Sequence, residues 1–498
     1  MDAVIGRVQG LLLDFPSEQS ALRKALGLAD ELQETPRSLD ALSSSSQSAA
    51  CASLSRLSEL LTPPSRFCAD AEDLDASARL AKDAFCRQVP ALLQLAIALF
   101  EALPLPSDPP TRDEVERRAR LLLAAGRFAY VELSAGLSES AAAEKANTLV
   151  DRLLEHPPHV RLPLLRHLLT ASLPAFFKPH PKLNPSTGRV LARPLGGDRG
   201  LTDWFEGSED DATSWRKQPG LGGVVKLVVQ RLQPGEIEDL WPFLLPPLLA
   251  FLDDYEAANK LVGISILDAL LDRTDESLLR RTGVGKVFEK SLENAFSALS
   301  DPLSPALLRA AHPVALKLLD VQHPAPACPA DADEARFNAL CALVAASVIH
   351  TWEFKGGDVA LEAVTARALA PLVDALGGAT VRYLQLLVPH VCGVLEAGAR
   401  NGVWTIETAQ MLCAAAGAAR SVVGNGRARI GRWEGRVRAA IGRCWVAMRE
   451  DDAAVRLRES QEGHDAMLAL EAALKEVVRE LEAATGSQTV RRNSVPRP

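Results

Sequence analysis

The stretch Leu240-Trp-Pro-Phe-Leu-Leu-Pro-Pro-Leu-Leu-Ala-Phe-Leu252 is apolar on most of the circumference of any helix it forms. It is shorter than the roughly 18–20 residues a membrane span needs, so it must be buried between other helices. It ends at Asp253-Asp254-Tyr255, and the next stretch, 260–271, is again apolar on more than one side. Neither helix can bury its whole apolar surface alone, so flanking pairs must stack on both. The chain has 498 residues, room for such an array or for about three ordinary domains. Aromatic residues make up only 5% of it and Leu and Ala supply most of the apolar side chains, which favours helix over strand.

The rest of the chain repeats the helical pattern. A strong stretch at 76–103 is ended by Pro104, Pro106, Pro109 and Pro110. Thr111 with Glu114 three residues on forms a capping box opening a helix to about 130. The polar tract 43–48 reads as a loop or weak helix. Helical stretches follow at 140–154 and 160–173, and later at 278–299, 305–319, 335–353, 359–376, 380–397, 405–423, 427–449 and 453–484. No stretch alternates with period two over a useful length. Between them, 176–223 is rich in Pro and Gly yet holds Trp204, Phe205 and Trp215. An irregular segment that long is uncommon inside a domain, and its aromatics predict a docked loop over a free linker.

The expected fold is all-α, an irregular HEAT/armadillo-like α-solenoid with that loop in its middle. The expected divisions are an N-terminal helical region 1–175, the loop 176–223, a C-terminal repeat region 224–484 and a disordered tail 485–498.

No catalytic, cofactor or metal constellation emerges. Thr282-Gly283-Val284-Gly285-Lys286 lacks the early glycine and the following hydroxyl of a phosphate loop, and it follows a helix. Its plain reading is a helix-to-helix turn with a left-handed glycine. His156-Pro-Pro-His159 has prolines where two ligands would need helical spacing. Asp253-Asp254 could pair on a metal, but acids between helices more often cap the second one. The eight cysteines include no C-x-x-C pair and read as small buried hydrophobes in a reducing compartment. The start of the chain lacks the basic and apolar regions of a signal peptide, so the expectation is a soluble intracellular protein. The acidic triplet Glu209-Asp210-Asp211 after Ser208 suits phosphorylation or a basic partner, or is simply solubilising. Arg491-Arg492-Asn493-Ser494 fits a basophilic kinase pattern.

A net charge of −8 argues against coating nucleic acid, but it hides a basic segment. Residues 420–449 hold eight arginines and one acid, Glu434. On a helix, Ile430, Trp433, Val437, Ile441, Cys444, Trp445 and Met448 form an apolar face, while Arg429, Arg432, Arg436 and Arg443 share another. The plain reading is a solvated face whose stems cover apolar neighbours. The sharper one is a surface for an acidic partner or an anionic ligand such as polyphosphate.

The combination Leu244-Leu-Pro-Pro-Leu-Leu-Ala-Phe-Leu-Asp-Asp254, Lys260, Gly263, Leu279-Arg-Arg-Thr-Gly-Val284 and Val287-Phe288 resembles the Tel-two-interacting protein two family. Pro185-Ser-Thr-Gly-Arg189, Trp215, His350-Thr-Trp352, Tyr383-Leu384 and the segment from Arg429 through Trp433 to Cys444-Trp445 extend the likeness over about 182–445. Pro246, Pro247, Asp253, Asp254, Gly263, Arg281, Thr282, Gly283, Trp433 and Trp445 are the motif positions. The resemblance implies the smallest subunit of the Triple T co-chaperone complex, a non-enzymatic adaptor without cofactors. Its implied partners are two larger helical-repeat subunits and, indirectly, the heat-shock-protein-90 machinery and phosphatidylinositol-3-kinase-related kinases. Target-of-rapamycin signalling, the DNA-damage checkpoint and telomere maintenance would follow, in cytoplasm and nucleus, with no nucleic acid or membrane bound. Arg429, Arg432, Arg436, Arg443, Trp204 and Trp215 are the candidate partner contacts. The competing reading is another HEAT-like scaffold, such as a transport adaptor or phosphatase regulatory subunit.

Overall fold

The structure is a computed structural model describing residues 1–13, 19–34, 43–68, 74–103, 109–155, 158–196, 214–324, 334–400 and 404–493. It divides into two compact units. The first comprises Met1–Tyr255 with Val262–Val284, the second Glu256–Leu261 with Gly285–Pro498.

The first unit holds α1 (Asp2–Leu13), α2 (Gln19–Glu34), α3 (Ser44–Leu60), α4 (Ala76–Ala102), α5 (Arg112–Gly126), α6 (Ser140–Glu155) and α7 (Arg161–His167). After the irregular segment come α8 (Leu221–Arg231), α9 (Pro234–Leu252), α10 (Ala257–Leu271), which belongs to this unit from Val262 on, and α11 (Glu276–Thr282). α1 packs on α3, α2 on α4, α3 on α5, α4 on α6 and α5 on α7. Each helix rests on the next but one, which is how stacked helix pairs close a continuous core. The capping box at α5 forms as the sequence predicts, with Thr111 and Glu114 satisfying each other's backbone amides. Among the described residues the pairing of strands is limited to one isolated bridge, Leu183 to Val190.

The second unit continues with α12 (Gly285–Ser297), α13 (Ser304–Gln322), α14 (Glu334–Val344), α15 (His350–Lys355), α16 (Val359–Leu376) and α17 (Leu384–Arg400). It ends in α18 (Ile406–Asn425), α19 (Glu434–Glu450), α20 (Asp452–Leu457) and α21 (Gln461–Asn493). Again α16 packs on α18 and α17 on α19, with α13 on α16 and α21 on α18. The fold is all-α and solenoid-like.

Of the two readings of 43–48, loop or weak helix, the helical one holds: Ser43 caps α3, accepting from the Ser46 amide, and the serines after it lie in the helix. Buried Ser53 and Ser58 return their hydroxyls to backbone carbonyls of the same helix, so they need no partner elsewhere. The helix-to-helix turn read at 282–286 holds, with Gly283 at φ 73° ending α11, and it divides the helical stretch 278–299 into α11 and α12. The helix expected from 427 begins at Glu434, after a short 3-10 turn at Ile430–Arg432.

Two helical spans, α4 and 334–355, are long and apolar enough to cross a membrane by length and composition. Both spans mix polar residues among apolar ones. Most of the apolar window of α4 is buried in the first unit, and a core helix passes the same test. Of the cysteines, Cys392 and Cys444 are buried and the other described ones half-buried; all are free thiols, and Cys328 lies outside the described residues.

Among the ionisable groups buried in the second unit is His312. It is 5% exposed and lies 4.9 Å from the Phe296 ring centroid. Its Nδ1 donates to the Leu308 carbonyl at 2.6 Å, leaving Nε2 buried without a hydrogen-bond partner. Burial pushes its pKa from 6.5 down to about 4. The unfolded chain therefore binds a proton below 6.5 that the folded chain refuses until about 4. The stability is complete above that window and falls through it on acidification, by up to about 3 kcal/mol. Urea unfolding at neutral and mildly acidic pH should show this fall, and His312→Gln should flatten it. An unchanged pH dependence in the variant would remove His312 as its source.

Candidate functional site

The described parts of the irregular segment, 176–196 and 214–223, are held against neighbouring helices of the first unit, and motif residues supply much of the hold. Asn184 makes an Asx turn, its Oδ1 accepting from the Ser186 and Thr187 amides at 2.9 and 3.2 Å. The turn delivers Gly188 at φ 64° flush against α9. A Cβ there would stand 2.7 Å from Cδ1 of Trp241 and 3.3 Å from Cα of Pro242. Two residues on, the Val190 amide donates to the Thr282 carbonyl at 2.9 Å, at the end of α11 that Gly283 closes. Thr282 is itself buried, its hydroxyl on the Leu278 carbonyl at 2.7 Å. Arg281 stays outside and pairs with Glu238 of α9 at 2.8 Å, which holds that carboxyl below its usual range.

The acidic turn after α9 serves the same loop. Asp253 lies 3.8 Å from Nε2 of His180, a histidine 1% exposed whose Nδ1 accepts from the Lys182 amide. Asp254, 2% exposed, receives the Arg216 guanidinium, Nε at 2.8 Å and Nη2 at 2.5 Å from the same oxygen. The guanidinium also covers the Trp215 ring at 4.9 Å and the exposed Tyr255 ring at 5.5 Å. Trp215 meets Phe251 edge-on at 4.6 Å and stacks on Phe177 at 6.1 Å. Trp215 is therefore half-buried in packing within the chain. Trp204, Ser208 and the acidic triplet 209–211 lie outside the described residues, as does Ser494.

A residue that sequence reasoning missed closes the other end of the loop. Arg127, 2% exposed, donates to the Pro219 carbonyl at 2.8 Å and to Gln218 Oε1 at 2.9 Å. Burial lowers its pKa to about 10, still charged at neutral pH. Gly220 at φ 74° lets the chain pass; a Cβ there would be 2.6 Å from the Arg127 carbonyl oxygen. Nothing local marks Arg127, since its partners lie some ninety residues away.

Pro246 and Pro247 sit within α9, the first half-buried and the second buried. Gly263 of α10 lies on the end of α9: a Cβ would be 2.5 Å from the Leu252 nitrogen and 2.6 Å from its Cα. Among the described residues no group of three or more His, Cys, Asp or Glu side chains could hold a metal ion.

In the second unit, the arginine segment has the two faces the sequence predicts. Ile430, Val437, Ile441, Cys444 and Met448 are buried, with Trp433 and Trp445 half-buried against the same core. Arg429, Arg432, Arg436 and Arg443 are all exposed. They are not equally free. Arg443 donates to Glu396 of α17 at 3.0 Å, and Arg436 lies by the Cys392 thiol, which burial pushes up to about 11 against the pull of that arginine. Arg427, Arg438 and Arg449 hold Glu480, Glu434 and Glu471 at 2.5, 3.0 and 2.9 Å. Arg429 and Arg432 have no carboxylate partner among the described residues. Exposed ion pairs contribute little, so Arg443 remains available at modest expense.

No curated protein sequence matches the chain. Among solved structures, a crystal structure of an engineered protein is similar over 95% of this chain and 99% of its own, at 12% identity and a TM-score of 0.31, too low to carry fold or function across. The profile of the Tti2 family matches residues 123–398. That span holds Arg127, the docked loop and the whole α9–α11 platform, and it starts earlier than the sequence likeness, at 123 instead of 182. It stops before the arginine segment. The chain belongs to the Tti2 family.

Proposed function

We propose that this chain is a non-catalytic adaptor of the Triple T co-chaperone complex, using its helical stacks to hold two larger helical-repeat subunits. Family membership supports the general co-chaperone role. Through those subunits it would assist the heat-shock-protein-90 system in stabilising phosphatidylinositol-3-kinase-related kinases, in cytoplasm and nucleus. The observation that carries the reading is the family match over 123–398, which spans the platform where nearly all motif residues converge.

Within that reading, the exposed arginines of the 429–443 segment are the contact with a larger subunit. Arg anchors are enriched where interfaces draw most of their energy, and Arg432 and Arg436 are both exposed, Arg436 with its side chain beside the buried Cys392 thiol. The test is affinity purification of the tagged chain with mass spectrometry. Two large helical-repeat subunits and a giant kinase should be recovered, and Arg432→Glu with Arg436→Glu should reduce subunit recovery about tenfold. Recovery of neither subunit by the unaltered chain sinks the assignment to the complex. Undiminished recovery by the double variant sinks only the arginine interface.

A further inference from the structure

A groove runs between α13 and α16 in the second unit. Its floor is mostly apolar, Leu316 from one wall and Val364, Ala368 and Leu372 from the other, beside the buried His312 ring, with Pro313 and Pro371 exposed at its edges. The rim is cationic, with Arg309 and Lys317 on α13 facing Arg367 on α16. Neither Arg309 nor Arg367 has a carboxylate partner among the described residues, and both are exposed. The one rim acid, Asp320, is held by Arg336 at 2.7 Å. The lining residues of α13 recur at three- and four-residue steps from Arg309 to Asp320, about 16 Å of helix or three turns.

We propose that this groove docks an acidic amphipathic helix of a partner protein. The length fits a helix anchored at successive turns, and the apolar floor takes its buried face. Unpaired guanidiniums on opposite walls then meet carboxylates flanking that face, which fixes orientation and rejects basic helices. A free anion would leave the floor empty, and nucleic acid would meet too few cations on a chain of net charge −8. The groove is separate from the arginine segment and does not depend on which complex the chain joins.

The probe is a short fluorescein-labelled helical peptide with leucines along one face and glutamates on both flanks. Added to the purified full chain, it should give saturable anisotropy. Arg309→Glu with Arg367→Glu should weaken binding at least about tenfold, as should replacing the peptide's glutamates by glutamine. Arg456→Glu, an exposed position away from both the groove and the arginine segment, should leave binding unchanged. If circular dichroism shows the first double variant unfolded, Leu316→Gln supplies the same test from the floor. The proposal is overturned by absent saturation, by binding that survives the groove variants, or by equal binding of the glutamine peptide. A chain that sediments as a dimer undisturbed by the peptide would assign the groove to a second copy, and overturns it too.

Discussion

Gly263→Ala should lower the unfolding free energy by about 3 kcal/mol, at the upper end of what overpacking costs. The added carbon would stand 2.5 Å from the Leu252 nitrogen and 2.9 Å from the Phe251 carbonyl carbon. These are backbone atoms, so no side chain can swing away to make room. The end of α9 must shift instead, and it carries Phe251 under Trp215 and the two aspartates that face His180 and Arg216. Alanine has the higher helix propensity, so the propensity change alone predicts a gain of up to about 1 kcal/mol. A measured gain in the urea midpoint would show that the helices do not meet this closely. Loosened docking should also appear as faster proteolysis within 176–223.

Arg216→Ala should cost a similar amount, about 3 kcal/mol, for an electrostatic reason. Asp254 is buried, and withdrawing the guanidinium leaves its carboxylate to lower-dielectric surroundings. The ring faces of Trp215 and Tyr255 lose their cation in the same step. A double-mutant cycle with Asp254→Asn isolates the pair. A coupling below about 0.5 kcal/mol would class it with exposed ion pairs and remove it as the loop's anchor. Arg216→Lys should fall between, since an ammonium keeps the charge but loses the guanidinium's stacking on Trp215.

Much of the helical framework was legible because its signals are local. The box at Thr111 and Glu114 needs only four residues, and 359–376 is read to its observed ends because Asp358 caps it and Gly377 follows. The serines of α3 left helix and loop both open, because short hydroxyls can bond a turn as readily as their own helix. Trp215 announced a docked loop, yet its anchors could not be read. Arg127 and Asp254 are ordinary charged residues until the chain folds and brings Pro219 and Arg216 to them. The same holds for the groove, whose lining interleaves two helices some fifty residues apart. In the arginine segment the faces were legible from periodicity. Which arginines already hold a carboxylate was not, because Glu396, Glu471 and Glu480 come from other helices.

The bond from the Val190 amide to the Thr282 carbonyl also fixes an order of events during synthesis. The first unit draws its last segment from Val262–Val284, so helices α1 to α7 leave the ribosome well before the platform that receives the loop. At about 5–20 residues per second, Val190 waits on the order of ten seconds for its partner. Until α9 to α11 are made, the apolar underside of the loop has no floor to cover it. For this chain, the stage most exposed to aggregation precedes the completion of α11, and a nascent fragment ending short of Gly283 remains in it.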